Sequence, residues 1–468
     1  MGSPQSSSSS IFYDFDDEIE DEIVSYMMQM ETPPVPRPII HRTQIERDRD
    51  AANRNLMNDY FSATPTYRSA KTFFNRFRMS KRMFLRILND LEIEFPYFQQ
   101  RCDARRKLGF TAIQKVTSAL RVLAYGTTTD INDEYLKMAK KTTRDTLEHF
   151  AKGMRILYGP RYLRKSTWND LQLLYDQHDK KYGLPGMIGS IDCKHWQWDN
   201  CPTAWKDQYT RGDQKGPTVI LQAVASCDQW IWHAHFGVAG SNNNINVLQG
   251  SEIIEDYVSG KGAKASLYAN GNYYPHGYLL GDGIYSEYSF IVKTYKDPID
   301  EKRKRFKVVQ EAARKGIECT FGTLVTKWHY VKNPCRLWTL DKMKDCMRSI
   351  IIMHNMVKED RGMAICSHYN PQHQEVMPEA SMEERVQNLA DMRSRQQYNA
   401  LMADLVEHMW SNRHEYTDVG VNNNDDDDDD DGDDGDDDDD DEYGHGSNND
   451  DNGDDDEDEA YDDVQDDD

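Results

Sequence analysis

The sequence predicts an α/β protein: a mixed sheet in the middle of the chain, helical segments before and after it, and acidic ends that lie outside the fold. Three observations carry this. Apolar residues recur at helical spacing from Phe73 to Leu157, the period changes to that of buried strands after Pro185, and helical spacing returns from Arg303 onward. The two ends are short of apolar residues and rich in acids, so neither can bury a core.

Residues 1–50 form the first expected segment, with the run Ser6 to Ser10, the acids Asp14 to Glu22 and the cluster Pro33, Pro34 and Pro36; this composition predicts disorder. Residues 51–165 are expected to be all-helical. Phe74, Phe77, Met79, Met83, Phe84, Ile87 and Leu91 give a basic amphipathic helical region between Phe73 and Leu91. A second helix runs from Thr111 to Ala124 and stops at Gly126. A short helical stretch over Ile131 to Lys140 is followed by a third helix, N-capped by Thr142 or Thr143, with Leu147, Phe150, Met154 and Leu157 as its stripe. Short helices with tight turns suit either a helix-turn-helix that turns Arg144, Lys152 and Arg155 outward or an ordinary bundle.

The sheet is expected in residues 185–360. Met187 to Asp192, Thr218 to Ser226 and Trp230 to Val238 read as strands, the last two joined by the turn Cys227, Asp228 and Gln229. A helix over Ile245 to Tyr257 leads to a hairpin through Asn270, Gly271 and Asn272 and to a strand over Tyr278 to Gly281. Arg303 to Trp328 and Lys342 to Met356 read as helices. Residues 361–420 are a helical extension whose stripe of Val386, Leu389, Tyr398, Leu401, Leu405 and Met409 breaks near Arg393 and packs on the body. Residues 421–468 are a poly-Asp tail, expected to be disordered by self-repulsion.

The charge is as uneven as the pattern. The chain carries a formal net charge of −25 over 468 residues, yet residues 425–468 hold 29 acids and no base. Residues 37–424 hold all 56 Lys and Arg against 44 acids, a net of +12, so a basic body lies between acidic ends. No 18-residue apolar run is present and the N-terminus lacks a basic segment ahead of an apolar stretch, which predicts a soluble intracellular protein with no membrane partner. Eight scattered cysteines without a CxxC pair predict reduced thiols, and Cys193, His195 and Cys201 fit no standard zinc spacing.

Three acids stand out. Asp192 ends a buried strand, Asp282 follows another in Leu279-Leu280-Gly281-Asp282-Gly283, and Glu318 lies on a helix beside Ile317, Phe321 and Leu324. A carboxylate at the end of an apolar strand is costly to desolvate unless a cation meets it. If the two strands are parallel neighbours, Asp192 and Asp282 come side by side and the helix brings Glu318 across. Hard divalent ions such as Mg2+ or Mn2+ answer the repulsion with oxygen ligands, and two of them about 4 Å apart can act on a phosphodiester. Each acid taken alone also fits a helix cap or a pair with Arg314 or Lys315.

The blocks Gly189-Ser190-Ile191-Asp192-Cys193-Lys194-His195-Trp196-Gln197-Trp198, Cys201-Pro202-Thr203-Ala204-Trp205-Lys206, Trp230-Ile231-Trp232-His233-Ala234, Gly240-Ser241-Asn242-Asn243, Asp282-Gly283-Ile284-Tyr285 and Arg314-Lys315-Gly316-Ile317-Glu318-Cys319-Thr320-Phe321-Gly322 are separated but collinear. In these blocks the chain resembles plant-type transposases of the PIF/Harbinger superfamily, from about Asp59 to Trp410. The resemblance implies a DDE transposase with an RNase H-like catalytic core. In it Asp192, Asp282 and Glu318 match the metal-binding catalytic triad and hold Mg2+ or Mn2+, two ions in all. It further implies metal-dependent DNA cleavage and strand transfer at transposon ends and target DNA, nuclear localisation, a Myb-like partner protein and a homo-oligomer. One departure is Asn244, where the family usually shows an acid. With the long acidic tail, it opens the alternative of a domesticated derivative, a nuclear DNA, chromatin or protein-binding factor with weakened catalysis.

Basic residues near the acids are candidates for DNA contact. Lys302, Arg303, Lys304, Arg305 and Lys307 form the densest run, ahead of Glu318, and read as a phosphate-binding stretch, a nuclear import signal or a solvated helix start. Lys206 and Arg211 lie in an aromatic and basic loop with Trp205, Tyr209 and Lys215, suited to stacking and phosphate contact.

Overall fold

Met187–Gln197, apolar at its start and alternating beyond, forms the central strand β1 of a five-stranded sheet. This computed structural model describes residues 45–262, 265–368 and 379–414; the poly-Asp tail and all but the last six residues of the acidic N-terminal segment lie outside them. β2 (Thr218–Ala225) is buried along its whole length between β1 and β3 (Ile231–Ala239), antiparallel to both. β4 (Leu267–Ala269) and β5 (Asn272–Tyr274) form a separate hairpin whose turn residues Asn270 and Gly271 have φ of 50° and 78°, the left-handed backbone that an Asn-Gly turn supplies. β6 (Tyr278–Leu280) and β7 (Ile291–Val292) complete the sheet in parallel with β1, giving the order β3-β2-β1-β6-β7. The expected strand starts hold to within one residue, β3 beginning at Ile231 rather than Trp230, while β1 runs five residues past Asp192, with Trp196 buried in it.

Among the described residues seven α-helices precede the sheet: α1 (Arg49–Leu56), α2 (Ala70–Phe77), α3 (Lys81–Glu94), α4 (Ala112–Tyr125), α5 (Ile131–Tyr135), α6 (Lys140–Tyr162) and α7 (Trp168–Tyr182). The single amphipathic region expected over Phe73 to Leu91 is two helices. Arg78 takes a left-handed backbone and the Ser80 hydroxyl caps the second helix by accepting from the Met83 amide at 3.2 Å. α4 matches expectation, with a Thr111–Gln114 capping box and Gly126 at its end. A side chain at 126 would collide with the His329 carbonyl, so this glycine lets the 329–333 segment close on α4. α6 has Ala139 at its N-cap position rather than a threonine; Thr142 and Thr143 lie within its first turn, Thr143 buried. Its stripe packs against α4 and the later helix over 340–360, and Arg155, expected to point outward, pairs with Asp345 at 2.8 Å.

The short α8 (Lys206–Tyr209) follows β1. α9 (Asn244–Gln249) and α10 (Glu252–Ser259) follow β3 as two helices, where one was expected over Ile245 to Tyr257; the break falls at Gly250 and Ser251. The remaining helices are α11 (Glu301–Lys327), α12 (His329–Lys332), α13 (Leu340–Asp360), α14 (Met382–Met392) and α15 (Arg395–Ser411), the last two separated near Arg393 as expected. One face of the sheet, with Ile191, Val224, Leu279 and Ile291, is covered by α10 and α14. The other is crossed by α11. One hydrophobic core runs from Leu56 through the sheet to Met409, so helical segment and sheet share their interior, and α15 contributes Leu401, Leu405 and Met409 to it. The eight cysteines are free thiols, as expected, and among the described residues no helix is long and apolar enough to cross a membrane.

Candidate active site

β1 and β6 run side by side in parallel with Ser190 opposite Leu280. Asp192 and Asp282 each lie two residues beyond that pair, toward the carboxyl ends. Side chains alternate with a period of two, so both acids fall on the Ser190/Leu280 face, on neighbouring chains about 4.8 Å apart. The Asp282 loop is fastened by its own backbone: the Asp282 carboxylate accepts from the Ile284 amide at 2.7 Å. Asp192 likewise accepts from the Cys193 amide at 2.7 Å.

α11 crosses this face. The Ser190 hydroxyl donates to the Ala313 carbonyl at 3.2 Å, and the Lys194 ammonium lies 6.0 Å from the Phe321 ring centre. From Ala313 to Phe321 the helix rises about 12 Å, and from Ser190 to Lys194 the strand rises about 13 Å. Helix and strand therefore keep pace, and Glu318 comes alongside Asp192. Fully buried Gln310 on the same helix donates to the Gly281 and Val292 carbonyls at 3.1 and 3.2 Å, which ties the Asp282 loop to α11.

The electrostatics follow from this placement. Burial, first, pushes the Asp192 carboxyl above its ordinary range, and the nearby negative charges of Asp282 and Glu318 push the same way; the Cys193 amide and the Arg314 guanidinium pull it down. Burial also raises the neighbouring Cys193 thiol to about 12, so it stays protonated, 3.7 Å from the Tyr285 hydroxyl. Arg314, one turn before Glu318, holds that carboxylate at 2.8 Å. With Glu318 turned to Arg314, no three His, Cys, Asp or Glu side chains are gathered into a metal-binding group among the described residues. That includes Cys193, His195 and Cys201; the His195 Nδ1 is engaged by the Thr218 hydroxyl at 2.8 Å. The donor set of Asp192, Asp282 and Glu318 is all carboxylate oxygen, mutually repelling and offset by one arginine, which is the chemistry a hard divalent ion fits.

The other candidate residues sit elsewhere. Lys302, Arg303, Lys304, Arg305 and Lys307 occupy the first two turns of α11, about 17 to 24 Å along the helix from Glu318. They are engaged there: Lys302 with Glu407 at 2.7 Å, Arg303 with Asp300 at 3.1 Å, Lys304 with Glu301 at 2.9 Å, Arg305 with the Arg413 carbonyl at 3.1 Å and Lys307 with the Lys296 carbonyl at 2.9 Å. Lys206 and Arg211 flank the α8 loop, where Trp205 is exposed and Arg211 pairs with Asp213 at 2.8 Å. Asn244 is the first residue of α9, whose cap is the Asn243 side chain. Sequence reasoning missed Gln310 and Ser190. The one available signal was the polar Gln310 within the buried stripe Phe306, Val309, Ala313 and Ile317.

Residues 160–364 match the family described as plant transposon protein, and residues 53–92 match a domain of unknown function. Protein ALP1-like of Arabidopsis thaliana is 20% identical over 292 residues, covering 61% of this chain and 70% of that protein. No solved structure matches the chain. The matched span contains Asp192, Asp282 and Glu318, and it supports the resemblance to Harbinger-type transposases read from the sequence.

Proposed function

We propose that this protein is a DDE-type DNA nuclease and strand transferase with an RNase H-like core, in which Asp192, Asp282 and Glu318 hold Mg2+ or Mn2+. The observation that carries the reading is the parallel register of β1 and β6, which sets two acids at matched positions beside the helix of the third. Three antiparallel strands continued by two parallel ones support the RNase H-like assignment. A divalent ion bound by these carboxylates supplies Lewis acidity to a phosphodiester and lowers the pKa of the attacking oxygen. Asp192 and Asp282, fixed by strand register and by Gln310, orient that site. Glu318 completes it on leaving Arg314, whose guanidinium is then available to a phosphate oxygen. The exposed Lys141, Arg144 and Lys152 of α6 are proposed to add DNA contacts, whether or not α4 to α6 act as a helix-turn-helix. Nuclear location, a Myb-like partner and self-association belong to the same proposal.

Asn244 favours a second reading, a domesticated DNA- or protein-binding derivative with weak catalysis. A nicking assay on supercoiled DNA with Mg2+ or chelator, run on the unaltered chain, Asn244→Asp and Asp192→Asn, separates the two. Metal-dependent nicking by the unaltered chain, lost in Asp192→Asn, supports the enzyme. Nicking only after Asn244→Asp supports the derivative, and none in any of the three overturns the catalytic reading.

A further inference from the structure

Beyond Asp192, β1 carries Lys194 on the same face, one strand period further along. There the sheet edge opens into a cleft of about 450 Å³ between the 213–218 loop on one side and the end of α11 with α12 on the other. Lys194 stands inside it, half-buried over the Phe321 ring, one helical turn past Glu318. Lys215 and Lys332 stand on its two rims, both exposed. None of the three lysines has an ion pair among the described residues. The one acid in the lining, Asp213, is already neutralised by Arg211 at 2.8 Å. The cleft therefore presents three uncompensated cations immediately beyond a group of three carboxylates, along one strand.

The floor is built rather than incidental. Trp196 donates through its indole N–H to the Asn333 carbonyl at 2.8 Å, and the Trp198 indole donates to the Leu337 carbonyl at 2.7 Å, which clamps the end of β1 to the segment after α12. The His195 Nδ1 and the Thr218 hydroxyl, 2.8 Å apart, hold the opposite wall at the start of β2. These contacts fix the separation of the two rims without using any of the three lysines.

Unpaired lysines on fixed walls suit a ligand with negative charges repeated along a chain, which is a phosphodiester backbone rather than a single carboxylate. We propose that this cleft holds the DNA strand running on from the scissile phosphate, with Lys194, Lys215 and Lys332 as its phosphate contacts. The proposal rests on the reading of Asp192, Asp282 and Glu318 as a DNA-cutting site. It adds which way the strand leaves that site, and it assigns the grip to residues other than the basic run at the start of α11.

The test is binding of a 20-base-pair DNA duplex and of one of its strands, followed by fluorescence anisotropy in chelator from 50 to 200 mM salt. Lys215→Gln with Lys332→Gln should weaken binding about tenfold at the low end and flatten the dependence of log affinity on log salt by about 1.8 for duplex. Lys180→Gln with Lys181→Gln, an equal charge loss at the exposed end of α7, should change neither. Lys194→Gln should add to the loss of the rim pair. Equal losses from the two pairs, or an unchanged rim pair, overturn the proposal. Nicking by the parent tells the two ideas apart. A rim pair that binds and nicks like the parent sinks the cleft alone, whereas a rim-pair binding defect in a chain that never nicks sustains the cleft and sinks the catalytic reading.

Discussion

Replacing Arg314 with Gln should tighten the binding of a divalent ion. Arg314 is the cation that stands among the three carboxylates, held to Glu318 at 2.8 Å with its side chain 22% exposed and that of Glu318 49% exposed. A pair so open to solvent contributes at most about 1 kcal/mol. An ion that takes Glu318 as a ligand must give up that contribution, and 1 kcal/mol is about fivefold in affinity. The same guanidinium lowers the Asp192 pKa, so its loss leaves the repulsion from Asp282 less compensated and increases the gain from a bound cation. Calorimetric titration with MnCl2 at pH 7.5, without DNA, should give about fivefold tighter binding for Arg314→Gln. Lys315→Gln, an exposed neighbour of equal charge, should change it less than twofold. Weaker or unchanged Mn2+ binding in Arg314→Gln would refute the idea that this arginine occupies the place of the ion.

Asp192→Asn should leave the melting temperature in chelator at or above that of the parent at pH 7. Its carboxyl is raised by burial and by two acids, so the protonated form is favoured in the fold and ionisation costs stability as pH rises. The difference should close near pH 4, and a drop of several degrees at pH 7 in scanning fluorimetry would mark a structural acid instead. Asp170→Ala removes the partner of Arg164, whose side chain is 3% exposed, together with half of the α7 capping box; urea unfolding should register a loss of about 3 to 5 kcal/mol, and less than 1 would contradict it. Burial lowers the His233 pKa to about 4 and the His354 pKa to about 3 from 6.5, so the unfolded chain binds more protons below pH 6.5 and stability should fall from there toward pH 4. His354→Gln, which keeps a donor for the Gln229 carbonyl, should reduce that slope by about one proton in urea titrations across the range. Removing residues 422–468, with 29 acids, should tighten nonspecific DNA binding by the basic body at low salt, with the gain shrinking as salt rises; equal anisotropy curves at low salt would show no competition.

The strands were legible because their apolar runs are bounded by turn residues: Pro185 before β1, and Cys227 to Gln229 between β2 and β3. Asp192 and Asp282 were legible for the related reason that each follows such a run. Helix boundaries were read less well where a single residue decides them. Arg78 turns left-handed and Ser80 restarts the helix, and no apolar period marks that three-residue break. The supports of the site were hidden altogether. Ser190 meets a carbonyl 123 residues away and Gln310 one 29 residues away, and such pairings depend on the register of the sheet, which periodicity does not encode. The basic run from Lys302 to Lys307 was read as close to Glu318 from sequence distance, but a helix turns that separation into length, and acids from α11 and α15 compensate part of its charge.

The central claim is that Asp192, Asp282 and Glu318 together bind a divalent ion. Crystals grown with Mn2+ and measured at its absorption edge test this most directly, since the anomalous signal locates the ion without reference to activity. The account predicts a peak shared by the Asp192 and Asp282 carboxylates with Glu318 turned away from Arg314, and its absence from crystals of Asp192→Asn. A map with no peak at these carboxylates under saturating Mn2+, or a peak that persists unchanged in Asp192→Asn, would contradict it.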